Sequence, residues 1–522
     1  MAATWLKDAV FYEIYPQSFY DSNGDGIGDI RGIMEKLDYI QALGCNALWL
    51  NPLYDSPFRD AGYDVRDHKQ VASRYGTNED LRALFQAARE KGIRILLDLV
   101  PGHTSDSHPW FQKSREEGEN PCSHRYIWTD NVFHKPEGLP CVAGEAPRNG
   151  SYVINFFHSQ PALNYGFRKI TDPTWQMSYQ DPEPKKTREE MKDIMRFWLT
   201  LGCDGFRVDM ADSLVKLDGE DKSATVEVWQ DISGAIHQEF PEAALVSEWN
   251  KPQLSLAAGF DMDFYLDWRG NGYSTLLRDY DIPPYGQPFG KNESYFCADG
   301  SRDITRFVED YVPQYEASKD MGLWCLITGN HDTIRMAPLV DAQAQRLYFA
   351  FLMTMPGAPF IYYGDEIGMR YRWVPTKEGG YQRTGSRTPM QWSRGKNLGF
   401  STADLQALYL SVDPAADAAV ADEQISDPTS LWNHVKGLIH LRKSQPELGN
   451  YAPFQVYHAQ KGGKLFAYRR GKLLVAMNPG KKVETLALDK AYQPIYAIGE
   501  PALKETTLKL APQSFVILKP VE

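Results

Sequence analysis

The sequence predicts an α/β protein: a (β/α)8 TIM barrel with a domain inserted after its third strand and a C-terminal antiparallel β-sandwich domain. Three observations carry this reading. Apolar, β-branched runs alternate with helical stretches through eight units between Val10 and Glu366, and such alternation means a parallel sheet. Several runs are apolar on both faces, as strands covered by helices are. A polar residue stands at the C-terminal end of nearly every run, the face where closed barrels carry their functional groups.

The first strand is Val10–Tyr15, β-branched and aromatic. The loop after it, Asp21 to Asp29, places oxygen side chains at its first, third, fifth and ninth positions and glycine at its sixth, the order of an EF-hand cation loop. Gly32 holds the twelfth position, where an EF-hand needs Glu, so the expectation is a single Ca2+ or Mg2+ loop without the helix pair. Its ligands would be Asp21, Asn23, Asp25 and Asp29 with the Ile27 carbonyl, against the alternative of a plain Asx-rich turn.

Helical spacing then covers residues 33–43, and Asn46–Leu50 is the second strand, ending at Asn51-Pro52. A helix over 79–90 leads to the third strand, Ile93–Val100. From His103 to about Trp175 the rhythm stops in a stretch too long for a loop, which predicts the inserted domain. The alternation resumes with a helix over 188–201, the strand Gly205–Asp209 and a helix over 225–239. Strands at Ala244–Glu248, Met262–Leu266, Leu323–Ile327 and Phe360–Glu366 complete eight. After Tyr451 short alternating strands joined by Gly- and Pro-rich turns predict the β domain. The boundaries are therefore 1–103 and 176–448 for the barrel, 104–175 for the insert and 449–522 for the C-terminal domain.

A net charge of −12 leaves no basic stripe to offset phosphate, which argues against nucleic acid and anionic membranes and suits a neutral small-molecule partner. The N-terminus has no basic region followed by an apolar run, so a cytoplasmic protein is expected, a monomer or small homo-oligomer. The most apolar stretch, 347–363, is broken by Pro356 and Pro359 and reads as a buried helix and strand. Cys45, Cys203 and Cys325 sit in apolar runs as reduced core thiols, and Cys122 and Cys141 lie where a loop bridge could form.

Three acids fall at predicted strand ends. In Gly205-Phe206-Arg207-Val208-Asp209 the alternation of strand side chains puts Arg207 and Asp209 on one face, where the cation would keep the carboxylate ionised, as a nucleophile at a sugar carbon must be. Glu248 stands beside Trp249, whose indole and partial burial would hold the acid protonated for proton donation. Asp332 follows His331 past the seventh strand. Singly, each is explained as well by a cap or a satisfied core acid.

Together these motifs resemble glycoside hydrolase family 13, the α-amylase superfamily, and within it the oligo-1,6-glucosidase and dextran glucosidase group. The resemblance spans the chain: Ala9–Pro16, Asp21–Asp29, Gly62-Tyr63-Asp64, Asp98–Ser105, Gly205–Asp209, Glu248, Asn330-His331-Asp332 and Arg387–Trp392. It implies a retaining exo-acting α-glucosidase on a small α-glucoside, with Asp209 as nucleophile, Glu248 as acid/base and Asp332 stabilising the transition state. It further implies that His103 and His331 bond sugar hydroxyls and that Arg207 holds the nucleophile. Asp64 and Arg387 would close the pocket on the outermost glucose, with Tyr63 as floor and Phe156 at the wall. Gly102 stands where the family usually has Asn, Met210 follows the nucleophile where Val or Ala is typical, and Ser247 replaces Gly. The acids Asp209 and Glu248 are 248 − 209 = 39 residues apart, closer to dextran glucosidase, and the segment 131–148 matches no known pattern. A transglucosylase or isomerase of sucrose isomerase or trehalose synthase type would keep the same chemistry. A non-catalytic relative of the transporter-chaperone kind would lack the acids.

Overall fold

The computed structural model describes residues 3–268, 270–281, 286–378 and 383–521. Eight parallel strands form its centre: β1 (Phe11–Ile14), β2 (Ala47–Leu50), β3 (Arg94–Leu99), β4 (Gly205–Val208), β5 (Ala244–Ser247), β6 (Met262–Phe264), β7 (Leu323–Cys325) and β8 (Phe360–Tyr362). They lie in the order β7-β6-β5-β4-β3-β2-β1-β8. The parallel bridge of Ile327 to Phe360, with Thr328 N–H donating to the Phe360 carbonyl at 3.0 Å, joins the two ends and closes the cylinder. Closure leaves no strand edge, and every residue of β1, β2, β4, β5, β6, β7 and β8 is buried.

The helices between them follow local signals. Asn78–Glu90 starts at a capping box in which Thr77 and Asp80 satisfy each other's backbone N–H, and it buries Leu81, Leu84, Phe85 and Ala88 on one face. Pro182–Leu201 begins with proline in its first turn, where the missing N–H is harmless. The helix expected over 33–43 is two, Ile30–Glu35 and Leu37–Leu43, because Lys36 leaves helical geometry at φ −102° and ψ 6°.

Strand packing requires glycine at the start of β4. Gly205 opens β4 at φ +143°, and a Cβ there would lie 1.9 Å from the Ala244 carbonyl oxygen of β5. The insert after β3 carries one antiparallel hairpin, Cys141–Ala143 with Ser151–Val153, and its own small core of Ile127, Val153, Ala162 and Phe167.

The C-terminal strands are β9 (Phe454–Ala459), β10 (Phe466–Arg470), β11 (Leu473–Asn478), β12 (Glu484–Ala487), β13 (Tyr492–Ile498), β14 (Ala502–Lys504), β15 (Thr507–Leu510) and β16 (Ser514–Pro520). They form antiparallel sheets ordered β9-β10-β11-β16-β13 and β12-β15-β14. Strand alternation gives the larger sheet two buried faces. Leu474, Ala476, Val516 and Leu518 pack between the sheets, while Val475, Met477, Phe515 and Ile517 join the barrel's core. All six cysteines are free, and among the described residues no helix is long and apolar enough to cross a membrane.

Candidate active site

A cavity of about 200 Å3 opens at the C-terminal ends of the barrel strands, lined by Asp60, Tyr63, His103, Phe156, Asp209, Met210, Glu248, Asp332 and Arg383. Asp209 and Glu248 are the residues just past β4 and β5, and Asp332 lies in the loop after β7. The three acids, distant in sequence, thus share one concave site.

Beneath them runs a polar layer built by strand register. Asp98 on β3 pairs with Arg207 on β4, so both side chains enter the barrel side by side. The Arg207 guanidinium donates to Asp98 at 2.9 Å and Asp209 at 3.0 Å, and lies 2.9 Å from Glu248. Asp98 also accepts from Trp49 Nε1 and Tyr63 Oη, each at 3.0 Å.

One cation serving three acids changes the expected protonation. Burial pushes the Asp209 carboxyl up to about 7, and Arg207, divided among its partners, offsets only part of that, while the charge of Asp98 adds to it. Burial likewise raises Glu248 to about 7, with Arg207 opposing and Asp209 adding to the rise. Arg207 therefore does not by itself hold Asp209 far below neutrality. Each of the two carboxyls raises the other's hold on its proton, since the charge of either one disfavours ionisation of its neighbour. The rise on Glu248 comes chiefly from burial, and the ring of the adjacent Trp249 packs toward Phe260, with centroids 6.5 Å apart.

After Asp209 the chain turns through a left-handed residue, Met210, at φ 42° and ψ 47°. That conformation is uncommon for a side chain of this size and aims Met210 into the cavity, with its N–H donating to Glu248 Oε2 at 3.0 Å.

Asp332 is the opposite case. Burial raises its pKa, but the adjacent His331 together with the charges of Arg383 and Arg387 prevails and holds it well below the usual carboxylate range. Both guanidiniums contact Asp332 Oδ1 at 2.7 Å. Arg387 continues to Glu378, a buried acid that also accepts from Tyr15 and Gln17, which fixes the arginine from behind.

The expected closing pair of Asp64 and Arg387 is not formed. Asp64 is fully buried behind the cavity, where it accepts from Ser56 and from the N–H groups of Arg59 and Asp60. The pair that bounds the cavity is Asp60 with Arg383, and Gln160 Nε2 donates to Asp60 Oδ2 at 2.7 Å. Each true partner lies four residues before the expected one, and in irregular backbone sequence gives no rule for which of two such residues faces inward. Asp98 carried a readable signal: a carboxylate in the apolar run of β3.

Tyr63 and His103 line the cavity, and Phe156, 41% exposed, stands at its wall. His331 sits one layer deeper. Its Nε2 is 2.8 Å from Tyr63 Oη, its Nδ1 is 3.0 Å from Glu13, and the Tyr63 ring stacks on it at 5.3 Å. Burial lowers its pKa far below the ordinary value, so it is neutral.

The loop proposed for Ca2+ or Mg2+ folds as successive Asx turns. Asp21 accepts from the N–H groups of Asn23, Gly24 and Gly26, Asn23 from Asp25, and Asp25 from Ile27. Asp29 takes donors from Ser22 and Gly32, the latter as a helix cap. Among the described residues no group of three or more His, Cys, Asp or Glu is gathered to hold a metal ion. In this arrangement the carboxylates of Asp21 and Asp29, the amide oxygen of Asn23 and one oxygen of Asp25 accept N–H or O–H donors from the loop itself and from Gly32.

The sequence matches the α-amylase catalytic domain model over residues 13–450. It is 33% identical to an oligo-1,6-glucosidase of Heyndrickxia coagulans, with 91% of this chain and 92% of that one covered. It is 30% identical to a glucan 1,6-alpha-glucosidase of Streptococcus pneumoniae, with 98% of each covered. A trehalose synthase/amylase of Mycobacterium tuberculosis is 33% identical over 85% of this chain and 76% of its own. Among solved structures, trehalulose synthase from Pseudomonas mesoacidophila superposes with a TM-score of 0.82 at 27% identity, covering 99% of this chain and 100% of that one. With this match over most of its length and its three acids at the barrel mouth, the chain belongs to the α-amylase family and is a glycoside hydrolase.

Proposed function

We propose that the protein is a retaining, exo-acting α-glucosidase that removes the non-reducing terminal glucose from short α-glucosides, of α-1,6 or α-1,4 linkage, in the cytoplasm. The observation that carries this reading is the bounded cavity: the Asp60–Arg383 pair limits it to about 200 Å3, room for one hexose ring rather than a chain. In this reading Asp209 attacks the anomeric carbon while Glu248 protonates the departing oxygen. Water then displaces Asp209 as Glu248 takes its proton, so two inversions retain configuration. Asp332, kept anionic by Arg383 and Arg387, stabilises the oxocarbenium-like transition state. Burial raises the Glu248 carboxyl to about 7, which suits the first step, where this group must still carry a proton to give.

A second reading keeps the glucosyl-enzyme and changes the acceptor. The similarity to trehalose synthases and to trehalulose synthase supports transfer of the glucosyl group to a sugar hydroxyl in place of water. Incubation with isomaltose, maltose, sucrose and trehalose, followed by product analysis, separates the two. Free glucose as the main product from isomaltose or maltose supports hydrolysis, whereas a rearranged disaccharide with little glucose supports transfer. Asp209→Asn should abolish both activities, and near-normal turnover in that variant would overturn the assignment of the nucleophile.

A further inference from the structure

The side chain of Asn155 reaches from the inserted domain to His103, and its amide is held in one orientation. Lys216 Nζ lies 2.9 Å from Asn155 Oδ1, and an ammonium has only donors to offer, so the oxygen must face it. The NH2 end is thereby turned toward His103 Nδ1 at 3.3 Å and Ser213 Oγ at 3.1 Å. Nδ1 is then the acceptor, and the ring's proton sits on Nε2, which donates toward the Tyr63 carbonyl at 3.2 Å. Burial pushes the His103 pKa down to about 3, so the ring is a neutral tautomer at physiological pH.

The slot that admits this amide exists because residue 102 has no side chain. A Cβ on Gly102 would lie 2.7 Å from Asn155 Nδ2 and 3.0 Å from Ser213 Oγ. No left-handed backbone is involved there, so the requirement is for space alone.

We infer that Asn155 is a positioning residue: oriented by Lys216 and given room by Gly102, it fixes His103 as the Nε2–H tautomer, whose proton is directed at the Tyr63 carbonyl, and so holds the ring in one orientation on the cavity wall. The inference rests on the reading of this cavity as the glucosyl pocket. It also links the insert to the chemistry, because the amide belongs to the inserted domain and the imidazole to the segment that leaves β3.

The test measures kcat/KM on an aryl α-glucoside for Asn155→Ala, Gly102→Ala, His103→Ala and the Asn155→Ala/His103→Ala double variant, with thermal unfolding of each. Gly102→Ala displaces the amide sterically while the flexible side chain yields, so the protein should still fold. Asn155→Ala and Gly102→Ala should each lower kcat/KM about ten-fold, the scale of one hydrogen bond. Asn155→Ala should add little in the His103→Ala background. Asn155→Asp presents an acceptor to Nδ1 and favours the imidazolium, so its deficit relative to the wild type should narrow as pH falls. Nitrogen NMR of labelled histidine should show His103 protonated at Nε2 in the wild type.

An Nδ1–H or imidazolium signature in the wild type would overturn the inference. So would full activity in Asn155→Ala, or an undiminished loss in the double variant, when His103→Ala alone is costly. Near-normal activity in His103→Ala would instead remove the glucosyl-pocket reading of His103, and this inference with it.

Discussion

At the scale of single residues, the site is governed by the ratio of cations to carboxylates. One guanidinium, Arg207, serves Asp98, Asp209 and Glu248, whereas two, Arg383 and Arg387, converge on Asp332 while also reaching Asp60 and Glu378, so acids of one kind end on opposite sides of their ordinary pKa. The raised pKa of Glu248 has a stability consequence whose sign is fixed. The folded protein holds that proton more tightly than the unfolded chain, so between about 4.5 and about 7 stability falls as pH rises, and above 7 the full penalty applies. The penalty is at most about 3 kcal/mol, less for a side chain that solvent partly reaches. Glu248→Gln should therefore raise Tm at pH 8, leave it nearly unchanged at pH 4.5, and lower kcat on a disaccharide by about 100-fold or more. Calorimetry and kinetics at the two pH values check this. Hydrolysis by the wild type should also decline above pH 7 as the acid loses its proton.

At the scale of elements, two short segments do much of the positioning. Gly205 lets β4 lie against β5 closely enough to bring Asp209 and Glu248 onto one guanidinium. Gly205→Ala forces a Cβ into the Ala244 carbonyl, and the cost should exceed about 4 kcal/mol, seen as loss of soluble protein or a large drop in urea midpoint. The loop from Asp21 to Asp29 is closed by its own Asx turns and tied across the molecule by Ser401, whose hydroxyl reaches Asp21 at 2.5 Å. Asp21→Ala leaves several N–H donors without an acceptor and should cost about 2 to 4 kcal/mol in denaturant unfolding, with no divalent ion present. A cation here remains a proposal, because binding requires those oxygens to exchange N–H donors for the ion. A rise in Tm on adding Ca2+ that disappears in Asp25→Ala would support it, and an unchanged Tm would remove it.

At the scale of the molecule, barrel and C-terminal sheet share one core. Val475, Met477, Phe515 and Ile517 pack with barrel residues, and the Tyr468 and Thr354 hydroxyls bond across the junction at 2.5 Å. Arg442 caps the carbonyls of Met353, Met355 and Gly357, while Arg470 caps those of Gly449 and Thr354. Removal of residues 451–522 would expose that apolar face and take the Arg470 guanidinium away from the Thr354 carbonyl. The shortened chain should aggregate or bind ANS strongly even though all the acids of the cavity remain. A soluble, cooperatively melting truncation would show that the barrel is independent.

The sequence by itself determined the repeating strand and helix periods, the eight parallel strands, the change to antiparallel strands after Tyr451, and the three acids at strand ends, because these depend on local alternation and on where apolar runs stop. It could not determine which of Asp60 or Asp64, or of Arg383 or Arg387, meets across the cavity, since both candidates lie in irregular loops four residues apart. Nor could it determine that Arg207 would be shared among three acids or that His331 would lie beneath Tyr63. Those were decided by closure of the barrel, which sets the register of β3 against β4 and packs loops over the mouth. A pKa, an ion pair or a tautomer belongs to what surrounds a side chain in three dimensions, and nearly all of those neighbours are remote along the chain.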